Sequence, residues 1–123
     1  MFFLKLQLIF INYKFAMKRI GMMIGIKADK IEKYKKLHDK VWPEVLENLT
    51  ELNCKNYSIY LLNNMLFGYM EYHGDNYERD MKLMAKNLKV QEWWSLCGPC
   101  QIPFPNRKKG EWWSIMEEVF HHD

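Results

Sequence analysis

Two runs, Lys55-Asn-Tyr-Ser-Ile-Tyr-Leu-Leu62 and Met65-Leu-Phe-Gly-Tyr-Met-Glu-Tyr72, are separated by nothing but Asn63-Asn64. Their β-branched and aromatic residues suit a pleated surface. Asparagine tolerates the positive φ that a two-residue hairpin turn demands. The pair therefore reads as an antiparallel hairpin, and everything else must be arranged around it. In its first strand Tyr57, Ile59 and Leu61 fall on one face, and Ser58, Tyr60 and Leu62 on the other.

The flanking sequence repeats one theme on either side. Arg19-Ile-Gly-Met-Met-Ile-Gly-Ile-Lys27 is an apolar run bounded by charge, of a length that fits a buried strand. Asp29, with Glu32 three residues on, predicts an N-cap and capping box. Ile31, Tyr34, His38, Val41, Val45, Leu49 and Leu52 then recur at helical spacing, with Lys30, Lys33, Lys36, Lys40 and Glu47 on the wet side. Pro43 predicts a break near Lys40–Trp42. After the hairpin a second helical stretch runs from Asp75 to Leu96, with a break at Asn87-Leu88 and with Met81, Met84, Ala85, Val90, Trp93 and Trp94 along it. Residues 97–110 hold three of the four prolines and read as an ordered loop, and Glu111–Phe120 reads as a final strand. The order is β-α-β-β-α-β, an α+β, ferredoxin-like plan with one antiparallel sheet and helices on one face.

Both faces of those strands carry large apolar side chains, among them Ile24, Ile59, Tyr60, Phe67 and Tyr69. Trp112 and Trp113, as neighbours on a strand, are expected to point to opposite sides. An exposed apolar sheet face marks an interface, so the pattern predicts a homodimer joined sheet to sheet under two-fold symmetry.

A chain of 123 residues, 49% hydrophobic and 27% charged, is one domain and not a disordered segment. No stretch has the length of uncharged apolar sequence that a membrane span needs. The formal charge of +3 is spread as eleven Lys/Arg against six Asp/Glu in residues 1–60 and seven against nine thereafter. That is no nucleic-acid footprint. Residues 1–16 lack the basic start and cleavage site of a secretory signal. They read as a disordered extension before a domain at 17–123, and the protein is expected in the cytoplasm.

Several motifs carry possible chemistry. Cys97-Gly-Pro-Cys100 has the letters of a redox pair, but it follows a helix instead of opening one, and Pro103 and Pro105 come directly after it. It reads as a turn with two incidental thiols. A zinc site from Cys54, Cys97, Cys100 and His121-His122 fails because adjacent histidines on a strand diverge, so no metal is expected. Asn48-Leu-Thr and Asn56-Tyr-Ser match the glycosylation sequon, which has no meaning in the cytoplasm. His38 is more informative. It follows Tyr34 by one turn on the inward face of the first helix, while Tyr57 and Trp93-Trp94 supply further amphipathic aromatics. Aromatic walls, tyrosine hydroxyls and one imidazole describe a site for a small, neutral, polyhydroxylated ligand built around His38.

Tyr34-Lys-Lys-Leu-His-Asp-Lys-Val-Trp-Pro-Glu44, Asn56-Tyr-Ser-Ile-Tyr60, Gln91-Glu-Trp-Trp94 and Glu117-Glu-Val-Phe120 together resemble the L-rhamnose mutarotase family, over roughly residues 17–122. The resemblance implies a dimeric α+β barrel that interconverts the α and β anomers of L-rhamnose, or a related 6-deoxy-hexose, without any cofactor. It implies His38 as proton donor and Tyr34, Tyr57, Trp93 and Trp94 as sugar contacts. Many bacterial members carry an Asn/Asp-Pro-rich loop after the tryptophan pair, where this chain has Cys97–Arg107 and then Trp112-Trp113. A non-catalytic sugar-binding or interaction module on the same fold is the alternative.

Overall fold

In the computed structural model, which describes residues 17–123, the sheet is built on β1 (Lys18–Ile26). The extension expected at residues 1–16 lies outside the described residues. β2 (Cys54–Leu62) and β3 (Met65–Tyr72) form the expected hairpin, with Asn63 and Asn64 at φ 50° and 59°. Both central residues are left-handed, as the tightest hairpin turn requires. A bulge interrupts the ladder between Lys55 and Ser58, where Asn56 takes φ 49°. β3 runs antiparallel to β1 from Lys18↔Tyr72 to Gly25↔Met65.

The last strand of the plan is divided, which corrects the expectation of one strand over Glu111–Phe120. β4 (Gln101–Ile102) pairs with Ile26 and Gly25, and β5 (Ser114–Met116) pairs with Met23, Met22 and Gly21, so both lie along the same edge of β1. Pro103 and Pro105 explain the division. Neither has an N–H to give to a ladder, so the chain leaves the sheet after Ile102 and returns at Ser114. Trp112 and Trp113 lie outside both strands, and both line the interior cavity instead of pointing to opposite faces. The resulting order, β2-β3-β1-β4 with β5 also beside β1, is that of a ferredoxin-like sheet.

The helices come in two broken pairs, as the sequence predicts. α1 (Ile31–Asp39) and α2 (Pro43–Glu51) are separated at Lys40–Trp42, with Pro43 in the first turn of α2. α3 (Tyr77–Lys86) and α4 (Leu88–Cys97) are separated by Asn87 alone, whose side chain accepts from the Lys89 and Val90 amides to cap α4. The cap expected at Asp29 is not formed. Asp29 lies within a 3-10 turn, Ala28–Lys30, and no side chain caps α1. No helix among the described residues is long and apolar enough to cross a membrane.

One face of the sheet holds the core. Ile20, Met22, Ile24 and Ile26 of β1 and Leu66, Met70 and Tyr72 of β3 alternate inward and are buried. They divide into two clusters. One joins Ile24, Ile26 and Leu66 to Tyr34, Val45 and Trp93, and the other joins Ile20, Met22 and Met70 to Met84 and Val90. Trp113 packs against both. Gly68 makes this possible, because a Cβ there would lie 2.7 Å from Met22 and 3.4 Å from the Trp113 ring.

Candidate active site

Between the inner face of the sheet and the helices lies a cavity of about 1380 Å³. Tyr34, His38, Tyr57, Trp93 and Trp94 all line it. Helical geometry brings the first two together, since residues four apart share a face. The rings of Tyr34 and His38 lie 4.2 Å apart, and the His38 ring meets Trp93 edge-on at 5.4 Å. Trp93 in turn packs edge-on against Trp42 at 5.4 Å. The break at Pro43 brings Trp42 into this contact. Tyr57 and Trp94 stand at the rim, 38% and 46% exposed. The adjacent tryptophans thus divide as their helical divergence requires, Trp93 buried and Trp94 open.

His38 is oriented by its own helix. Nδ1 lies 2.8 Å from the Tyr34 carbonyl oxygen, which can only accept, so Nδ1 carries a proton and donates. In the neutral ring that leaves Nε2 as an acceptor, and in the protonated ring it makes Nε2 a donor. Tyr34 is only 5% exposed, and burial raises its phenol pKa far above the ordinary value. Its hydroxyl accepts from Gln101 Nε2 at 3.3 Å, and Gln101 Oε1 accepts from Trp112 Nε1 at 2.7 Å. Although Tyr57 as a whole is 38% exposed, desolvation at its hydroxyl pushes that phenol up to about 12. Both phenols keep their protons near neutral pH.

Three further residues of the site were not anticipated. Gln101 and Trp112 meet Tyr34 only through tertiary contact. Asn48, on the apolar face of α2 beside Val45 and Leu49, is buried along the cavity wall, and its Oδ1 has no hydrogen-bond partner. An amide within an apolar stripe is a signal that the sequence does contain. Its burial also leaves the Asn48 sequon out of reach of glycosylation. Cys97 and Cys100 are buried and unpaired at the carboxyl end of α4, and burial pushes the Cys97 thiol up to about 12. A thiol there is the reverse of an activated one. Among the described residues no three His, Cys, Asp or Glu side chains are placed to hold a metal ion, and His121 bonds to Asp123 instead.

The cavity thus offers hydroxyl donors, indole faces and one oriented imidazole. The family model for L-rhamnose mutarotase matches residues 19–122. An L-rhamnose mutarotase of Oceanobacillus iheyensis is 34% identical over 109 residues, covering 87% of this chain and all of that one. The one from Mannheimia succiniciproducens is 35% identical over the same shares. The crystal structure of an L-rhamnose mutarotase from Formosa agariphila superposes with a TM-score of 0.69 at 25% identity, covering 86% of this chain and 99% of that one.

Proposed function

The chain belongs to the L-rhamnose mutarotase family, and from that premise we propose that it interconverts the α and β anomers of L-rhamnose by acid–base ring opening at His38. The observation that carries the mechanism is the bond from His38 Nδ1 to the Tyr34 carbonyl. It fixes the ring beneath the cavity while Nε2 has no protein partner among the described residues.

The protonated imidazole gives its Nε2 proton to the ring oxygen as the anomeric hydroxyl loses its own to water at the rim. The bond between C1 and the ring oxygen breaks, leaving the open aldehyde. Rotation about C1–C2 exposes the other face of the carbonyl. The C5 hydroxyl adds to it, its proton returns to His38, and the aldehyde oxygen regains one from water. A positioned acid of this kind contributes about 10²–10⁴-fold, enough for a reaction that already proceeds unaided. Tyr34 and Tyr57 supply donors to sugar oxygens, and the indoles of Trp93 and Trp94 cover the apolar edge of a 6-deoxy sugar.

The working unit in this reading is a homodimer. Tyr60, Leu62, Val119 and Phe120 are exposed, the last two by 91% and 82%, and the strand residues alternating with the buried set face away from the helices. A second copy would cover that face, in an interface of at least about 1,200 Å². Light scattering should then give twice the 15.0 kDa of one chain, and a mass of one chain contradicts the arrangement. Three free buried cysteines accord with a cytoplasmic location.

Polarimetry tests the activity. A freshly dissolved pure anomer of L-rhamnose should reach its equilibrium rotation faster as protein is added. Binding without acceleration would leave only a sugar-binding module.

A further inference from the structure

The amide of Gln101 has two neighbours whose chemistry leaves it one orientation. Indole N–H is a donor only, so the atom 2.7 Å from Trp112 Nε1 is the amide oxygen. The amide nitrogen therefore faces Tyr34, 3.3 Å from its hydroxyl. An amide N–H donates, so the Tyr34 oxygen accepts there and its own proton must point elsewhere. Gln101 is itself buried, and both ends of its amide are bonded within the protein. The remaining direction is the cavity that Tyr34 and His38 share.

The arrangement is held from behind. β4 pairs Gln101 with Ile26. The loop carrying Trp112 is closed by Arg107, whose guanidinium donates to the Phe104 and Glu111 carbonyls at 3.0 and 2.9 Å and lies 5.8 Å from the Trp112 ring. Resting on the mutarotase reading, we propose that Gln101, locked by Trp112, is a positioning residue that turns the Tyr34 hydroxyl proton into the cavity, toward an oxygen of the sugar. The segment that divides the last strand thereby sets the polarity of a substrate contact. Without the Trp112 N–H the amide is free to flip. Its oxygen would then accept the Tyr34 proton and withdraw it from the ligand.

The test is a double-mutant cycle on L-rhamnose anomer exchange by the full chain. Gln101→Met keeps the side chain's length and removes its hydrogen bonds. It should lower kcat/KM by up to about tenfold, the worth of one neutral hydrogen bond, mainly through KM, and Trp112→Phe should cause a smaller loss in the same direction. In a Tyr34→Phe background neither substitution should have any further effect, because the hydroxyl they orient is gone. Additive losses, or Gln101→Met acting through a lowered melting temperature with KM unchanged, would overturn the proposal. Should Gln101→Met fail to fold, Trp112→Phe in the two backgrounds decides alone. Wild-type acceleration, measured first, keeps a failure of the mutarotase reading distinct from a failure of this one.

Discussion

Tyr34 and Tyr72 are buried to nearly the same degree, at 5% and 3% exposure, and belong to the two different halves of the core. Their hydroxyls are used differently. Tyr72 donates to the Asp80 carboxylate and accepts from the Asn76 amide at 3.0 Å. Asp80, itself buried, also accepts from Asn53 at 3.1 Å and Arg79 at 3.3 Å. That group is closed: its donors and acceptors satisfy one another and tie α3 to the sheet. Tyr34 accepts one bond from Gln101, and its proton has no partner among the described residues. The difference separates a hydroxyl that holds the fold from one available to a ligand, and it is set by what surrounds each tyrosine.

The largest effect should come from the open half. His38→Ala should cost at least about 10²-fold in anomer exchange while the melting temperature stays near that of the wild type, since His38 is only partly buried. Equal losses of both would make His38 a structural residue. Exchanging the two hydroxyls for hydrogen comes next. Tyr72→Phe leaves a buried carboxylate short of a donor, and should cost about 1–3 kcal/mol of stability with the exchange rate per folded molecule intact. Tyr34→Phe should do the reverse. Thermal melts and exchange kinetics on the two variants would erase the contrast if both lost the same property.

Acid should act on the closed half first. The Tyr72 hydroxyl, with help from Asn53 and Arg79, holds the Asp80 carboxyl below its ordinary value of 3.8. A lowered folded-state pKa contributes stability that is complete above the unfolded value, near about 4, and drains as pH falls through the folded one. Denaturation followed from pH 6 downward should therefore show a loss of stability below about pH 4 that is reduced in Asp80→Asn. An unchanged acid limb would place the titration elsewhere. The smallest effect is at the rim. Tyr57→Phe should weaken sugar binding by about 0.5–1.5 kcal/mol, and unaltered affinity in calorimetry would remove Tyr57 from the site.

Much of the open half was legible in the sequence because it is local. Tyr34 and His38 are one helical turn apart, Pro43 marks the break between α1 and α2, and Asn63-Asn64 dictates the turn that registers β2 on β3. What was not legible depends on contacts between distant segments. Gln101 lies in β4, yet its partners are in α1 and in the loop before β5, and nothing in its immediate sequence distinguishes it. The Asp80 group joins residues from the β2 approach, β3 and α3 in the same way. The last strand is divided and shorter than the run Glu111–Phe120 suggests, because Pro103 and Pro105 oblige the chain to leave the sheet after Ile102 and it rejoins β1 only at Ser114. Asp29 looked like a cap by spacing alone, but the backbone had started turning at Ala28 before the residue could serve.

In the proposed mechanism the cavity at His38 opens and recloses a sugar ring. Magnetisation exchange between the two anomeric protons of L-rhamnose at equilibrium measures this without any coupling reaction. Exchange should rise in proportion to protein concentration and fall nearly to the buffer rate when His38→Ala replaces the wild type. Exchange at the buffer rate with the wild-type chain, or undiminished exchange with His38→Ala, would contradict it.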